Sequence, residues 1–115
     1  MEVQVFGIRN DADTRKALRF FKERRIRVHF VDFKVRRPSK GELRRFAQKF
    51  GAEALIDPTS KRFQALGLAT AHHGEEHWLA IAEEEPLILR MPLVRNQNQL
   101  TLGAAEDTWK EWVRQ

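Results

Sequence analysis

The chain opens on Val3, Val5 and Phe6, an apolar run of strand length closed by Gly7. Asn10 reads as the cap of a following helix, with Asp13 three residues on in a capping-box-like position. Asp11 and Asp13 also suit the positive end of that helix's dipole. Ala17, Leu18 and Phe21 recur at helical spacing, Phe20 widens the stripe, and the helix is predicted to reach about Arg24. Residues 26–33 alternate and are rich in β-branched and aromatic side chains, which predicts a strand. Strand, helix and strand in such short compass form a βαβ unit, so the two strands are expected to be parallel.

Ser39 is placed to cap a second helix that runs to Phe50, with Leu43, Phe46, Ala47 and Phe50 on one face and Gly51 as its stop. Shorter helical pieces are predicted over residues 52–56, 60–66 and 75–84, punctuated by Pro58, Gly67 and Gly74. After Pro86 the pattern returns to strands. Leu87-Ile88-Leu89 leads to Pro92-Leu93-Val94, Asn96-Gln97-Asn98-Gln99 is a polar turn, and Leu100-Thr101-Leu102 returns as a hairpin ended by Gly103. A last helix over residues 105–114 carries Trp109, Trp112 and Val113 at i, i+3 and i+4. The order is β-α-β, a helical insertion over about residues 39–84, then β-β-α. It predicts an α/β fold with a four-stranded mixed sheet, in one domain over residues 1–115.

Composition removes several chemistries. The chain has no cysteine, which excludes disulfides, thiolate-held zinc, iron–sulfur clusters and a thiol nucleophile. No run approaches the roughly 20 apolar residues that span a bilayer. The start, Met1 to Phe6, lacks the basic and apolar regions of a signal peptide. A cytoplasmic protein with no membrane contact is expected. The net charge is +5, unevenly placed: residues 1–50 hold 15 Lys/Arg against 6 Asp/Glu (+9), and residues 51–115 hold 6 against 10 (−4). The basic residues are spread over several elements without interleaved aromatics, so a solvated surface is preferred to a nucleic-acid face.

This layout, decorated by Phe6-Gly7-Ile8-Arg9-Asn10, Thr14-Arg15-Lys16-Ala17-Leu18, Leu55-Ile56, Ser60-Lys61-Arg62-Phe63-Gln64-Ala65-Leu66, the stretch from Glu84 to Val94, and Gln99-Leu100-Thr101-Leu102-Gly103 with Glu106-Asp107, resembles the arsenate reductase (ArsC)/Spx family over nearly its whole length. The resemblance implies a thioredoxin-like fold. Aligned on Ala17-Leu18, Asp11 stands where the family's reductases carry their nucleophilic cysteine, and Thr14 where Spx-type members carry the second cysteine of a CxxC pair. A carboxylate forms neither an arsenate adduct with sulfur nor a mixed disulfide. Two cationic anchors of the family also change: Met91 stands beside Pro92, the family's cis-proline, and Thr59 replaces an arginine of the insert. Arg9, Arg62 and Arg90 are the candidate replacements, with Asn10 beside the vestigial site.

The resemblance therefore implies a non-catalytic protein that works by binding, with no cofactor. Spx-like members regulate transcription by docking on the C-terminal domain of the α chain of RNA polymerase, through a glycine that aligns with Gly51. The alternative is a reductase-like enzyme that binds glutathione or an oxyanion and borrows its cosubstrate's thiol. Other constellations carry less. His73 and His77 at i, i+4, with His72 and Glu76, are read as a polar loop-to-helix junction rather than a metal site, because Gly74 interrupts the helix. Asp11 and Asp13 are read as capping residues, and Trp78, Trp109 and Trp112 as packing residues.

Overall fold

The computed structural model describes residues 1–70 and 73–114. Strands β1 (Glu2–Gly7), β2 (Arg27–Asp32), β3 (Leu93–Asn96) and β4 (Gln99–Leu102) form one mixed sheet in the order β2-β1-β3-β4. β1 runs parallel to β2, with Val3 opposite Val28 and Val5 opposite Phe30, as the βαβ pattern requires. β3 is antiparallel to both β1 and β4. Helix α1 (Ala12–Glu23) joins the parallel pair, and α5 (Glu106–Arg114) follows the hairpin.

The chain divides into two compact units, Met1–Val35 with Met91–Gln115, and Arg36–Arg90. In the first, Val3, Val5 and Val94 meet Ala17, Phe20 and Phe21 of α1 and Trp109 and Trp112 of α5. Alternation on the strands and the i, i+3, i+4 stripes on the helices supply the two halves of this core. The Trp109 indole Nε1–H donates to Thr101 Oγ1 at 2.8 Å, so the largest buried side chain leaves no polar atom unsatisfied. In the second unit, α2 (Lys40–Phe50) packs against α4 (Glu75–Glu84), α3 (Lys61–Ala65) lies between them in sequence, and Phe63 stacks with Trp78.

Ser39 caps α2 with a complete capping box: its Oγ accepts from Glu42 N–H while the Glu42 carboxylate accepts from Ser39 N–H. Two expectations need correction. Leu87-Ile88-Leu89 is no strand. Pro86–Ile88 forms a 3-10 turn, and Leu89 makes an isolated bridge to Ile56 within the helical unit, so its apolar run is buried against helices rather than in the sheet. The polar turn is also tighter than expected. Asn96 and Gln99 pair as strand ends, leaving a two-residue turn with Gln97 at φ 55°. Among the described residues no helix is long and apolar enough to cross a membrane.

Candidate functional site

The loop from β1 into α1 is built from Gly7 upward. Asp11 N–H donates to Ile8 C=O at 3.1 Å, which closes the turn that carries the chain into the helix. Asp11, not Asn10, is the helix cap. Its backbone is extended, and its Oδ2 accepts from both Thr14 N–H (2.8 Å) and Thr14 Oγ1–H (2.9 Å). Either residue type caps well, so local preference could not separate neighbours; the turn at Ile8 places Asp11 one step nearer the helix. Asn10 is left exposed in the turn.

Thr14 is fully buried and presses on Gly7. A Cβ at Gly7 would overlap Thr14 Oγ1 and lie 2.9 Å from its Cγ2. Glycine is therefore required there by close approach, not by backbone angles. Arg15 reaches back to donate to Arg9 C=O at 2.9 Å, and the Arg9 guanidinium lies 4.7 Å from the Phe30 ring centre. The Met91-Pro92 peptide is cis. Pro92 is buried, its C=O accepts Gly103 N–H at 2.9 Å, and it precedes Leu93, the partner of Phe6. Asp11, Thr14 and Pro92 thus belong to the same compact unit, at the Gly7 end of β1.

Charge decides what this helix start can hold. Free N–H groups and the dipole present roughly +0.5 of a charge at a helix N-terminus. The Asp11 carboxylate brings a full negative charge to the same spot and offsets that partial positive charge. An oxyanion approaching the α1 start meets repulsion, and the Thr14 N–H it would need is already taken by Asp11.

The other expected residues lie in the helical unit. Arg90 donates from Nε to Ala54 C=O at 3.0 Å. Arg62 makes a two-point ion pair with Glu85, at 2.8 and 2.7 Å. That hydrogen bond raises the Arg62 pKa above its usual value and lowers that of Glu85. Thr59 bonds through N–H and Oγ1 to Asp57, shaping the turn before α3. Gly51 is exposed at the C-terminus of α2, at φ 85° and ψ 145°, with its N–H on Ala47 C=O. His73 lies outside α4, whose cap is Gly74; its Nδ1 is 3.0 Å from His77 Nδ1, and its ring stands edge-on to those of His77 and Trp78. His72 lies outside the described residues. Among the described residues no group of three or more His, Asp or Glu is arranged to hold a metal.

Sequence reasoning missed one feature of the sheet unit. Arg9, Lys22, Arg25 and Arg27 ring an open groove of about 540 Å³ floored by Leu18, Ile26, Val28 and Phe30. The signal was present as three cations at positions 22, 25 and 27 around the start of a strand, but its meaning required β2 to be a sheet edge.

A four-stranded mixed sheet with α1 and α5 at its two ends of sequence, a helical unit between, and a cis-proline before β3 define an α/β protein of the thioredoxin-like class. Among solved structures, the YffB protein aligns at 19% identity over 95% of this chain and 96% of its own, with a TM-score of 0.87. The arsenate reductase from Vibrio cholerae aligns at 20% over 96% and 97%, TM-score 0.82. An arsenate reductase (ArsC) related protein from Brucella melitensis aligns at 19% over 100% and 97%, TM-score 0.69. The family model for ArsC matches residues 6–112, and the chain belongs to the ArsC family. No curated protein matches it significantly in sequence.

Proposed function

We propose that this chain is a non-catalytic member of its family that works by binding a protein, as a transcription regulator docking on the C-terminal domain of the α chain of RNA polymerase. The observation that carries the first part is Asp11. It occupies the helix start at which a nucleophile would stand, is bound there by Thr14 from two atoms, and the chain has no cysteine to replace it. A redox switch cannot operate on such a pair, so regulation would be independent of disulfide formation.

The docking part rests on the end of α2. Gly51 is exposed there, with Gln48 exposed about one turn before it and Arg45 nearly two. A Cβ at Gly51 would meet open space, so its backbone conformation, which is almost confined to glycine, is what demands that residue. The reductase-like alternative has less behind it: Arg62 is held by Glu85, and at the helix start the Thr14 N–H is already bound by the Asp11 carboxylate.

Titration calorimetry with the purified C-terminal domain of that α chain tests the reading. A saturable one-to-one heat is expected, weakened about tenfold by Arg45→Glu. No binding by folded protein would remove the partner assignment. Arsenate turnover with glutathione and glutaredoxin would remove the non-catalytic one.

A further inference from the structure

Among the described residues β2 is an edge strand, with β1 on one side and no strand on the other. Beside that edge, between it and α1, lies the groove of about 540 Å³ with its apolar floor of Leu18, Ile26, Val28 and Phe30. Among the described residues four cations and no carboxylate line it. Arg27 has an acidic neighbour, Glu2 at 3.9 Å, in a pair exposed on both sides and so of little strength. Among the described residues no ion pair engages Arg9, Lys22 or Arg25.

Arg25 is held against a local preference. The chain leaves α1 through a Schellman turn: Ile26 N–H reaches Phe21 C=O at 3.0 Å, and Arg25 N–H reaches Lys22 C=O at 3.0 Å. The left-handed residue of this turn is usually glycine, yet here it is Arg25 at φ 59°. A side chain kept at a position that costs backbone energy points to use of its charge.

We infer that this groove receives an extended acidic segment of a partner protein, added as a fifth strand along the free edge of β2. Main-chain groups of β2 would supply hydrogen bonds to any sequence, and the groove would select it. Alternate residues of the added strand fall on the side of Val28, Phe30 and α1; those over Val28 and Phe30 are apolar, those at the ends of the same row are Asp or Glu, facing Arg9, Lys22 and Arg25, and the residues between point to the opposite face of the sheet. Cations on an edge strand also deter pairing with a second copy of the same chain, since two β2 edges would bring like charges together. Single-stranded nucleic acid shares the negative charge but needs open aromatic faces for its bases. The described lining offers a single aromatic ring, Phe30, where such binding stacks successive bases on several. Docking at Gly51 is a separate matter, since that residue lies in the other compact unit.

The test uses the whole chain and a capped Glu-Ser-Val-Ser-Val-Ser-Glu peptide, in which Glu and Val share one face of the strand. Amide signals of β2 followed by NMR should shift on saturation. The same peptide with Lys in place of Glu should bind at least about tenfold more weakly, as should the Glu peptide to Lys22→Gln and Arg25→Gly. Arg25→Gly suits the left-handed backbone, so its loss of binding cannot come from misfolding; an unfolding midpoint at or above wild type checks this. Unmoved β2 amides, equal binding of a backbone N-methylated peptide, displacement by single-stranded DNA, or a concentration-dependent dimer through β2 would each overturn the proposal. Any of these leaves the binding at Gly51 to be judged by its own titration.

Discussion

Gly7→Ala probes the contact on which the helix start rests. The new Cβ would overlap Thr14 Oγ1, lie 2.9 Å from Cγ2 and 3.2 Å from Cβ. Neither partner is free to retreat. Thr14 is fully buried and bound to Asp11, while Gly7 pairs with Asp32 and its C=O accepts Phe33 N–H at 2.9 Å. Overpacking of this kind costs about 1–3 kcal/mol. Gly7 is not at positive φ, so alanine should also gain about 0.5–1 kcal/mol from reduced chain entropy. A net loss of about 2 kcal/mol is expected, from the upper end of the overpacking range less that gain. Thr14→Ala deletes Oγ1 and Cγ2, the two atoms nearest the new methyl, at its own cost of about 1–2 kcal/mol for the lost hydroxyl bond and methyl burial. In that background Gly7→Ala should be nearly neutral, giving a coupling energy of about 2 kcal/mol. Urea unfolding followed by tryptophan fluorescence and circular dichroism measures it; with a slope of about 2 kcal/mol per molar, the single variant shifts the midpoint by about 1 M. Equal losses in the two backgrounds would refute the steric account, as would a Gly7→Ala protein as stable as wild type.

Asp11→Ala should lower stability by about 1 kcal/mol through the lost cap, and Asp11→Cys should fold and show a thiol pKa below the ordinary value of about 8.5, read from thiolate absorbance against pH; an ordinary pKa would contradict the helix-start geometry. Thr101→Val removes the acceptor of the buried Trp109 N–H and should cost about 1–3 kcal/mol, whereas Thr101→Ser should retain most of the stability, by the same urea assay; equal behaviour of the two would contradict the bond. Burial by itself would raise the pKa of Glu42, but hydrogen bonds from Ser39 N–H and from Arg36 outweigh it and leave the pKa lowered. Its contribution is therefore complete above the unfolded carboxylate pKa and is lost as pH falls through the lower folded value. Glu42→Gln should flatten the acid limb of stability against pH, and an unchanged limb would remove Glu42 from the capping box.

Most elements were legible because their signals are local. Ser39 announces the start of α2, and Trp109 with Trp112 the buried face of α5, within a few residues of chain. The cap of α1 was displaced by one residue because Asn10 and Asp11 have equal chemistry, and only the turn at Ile8 distinguishes them. Leu87-Ile88-Leu89 misled for a different reason: an apolar run of strand composition says that it is buried, not against what, and its partner is Ile56. Arg62 looked available until the fold brought Glu85 to it from 23 residues away.

By itself the sequence determined the order of strands and helices, through hydrophobic period and capping chemistry, and it removed thiol chemistry through the absence of cysteine. Tertiary structure decided which groups are occupied and which are free. It tied Asp11 to Thr14, closed Arg62 against Glu85, and left β2 as an open edge beside four cations. Period and propensity are written over neighbouring residues, whereas a partner or an unpaired edge is set by segments far apart in the chain.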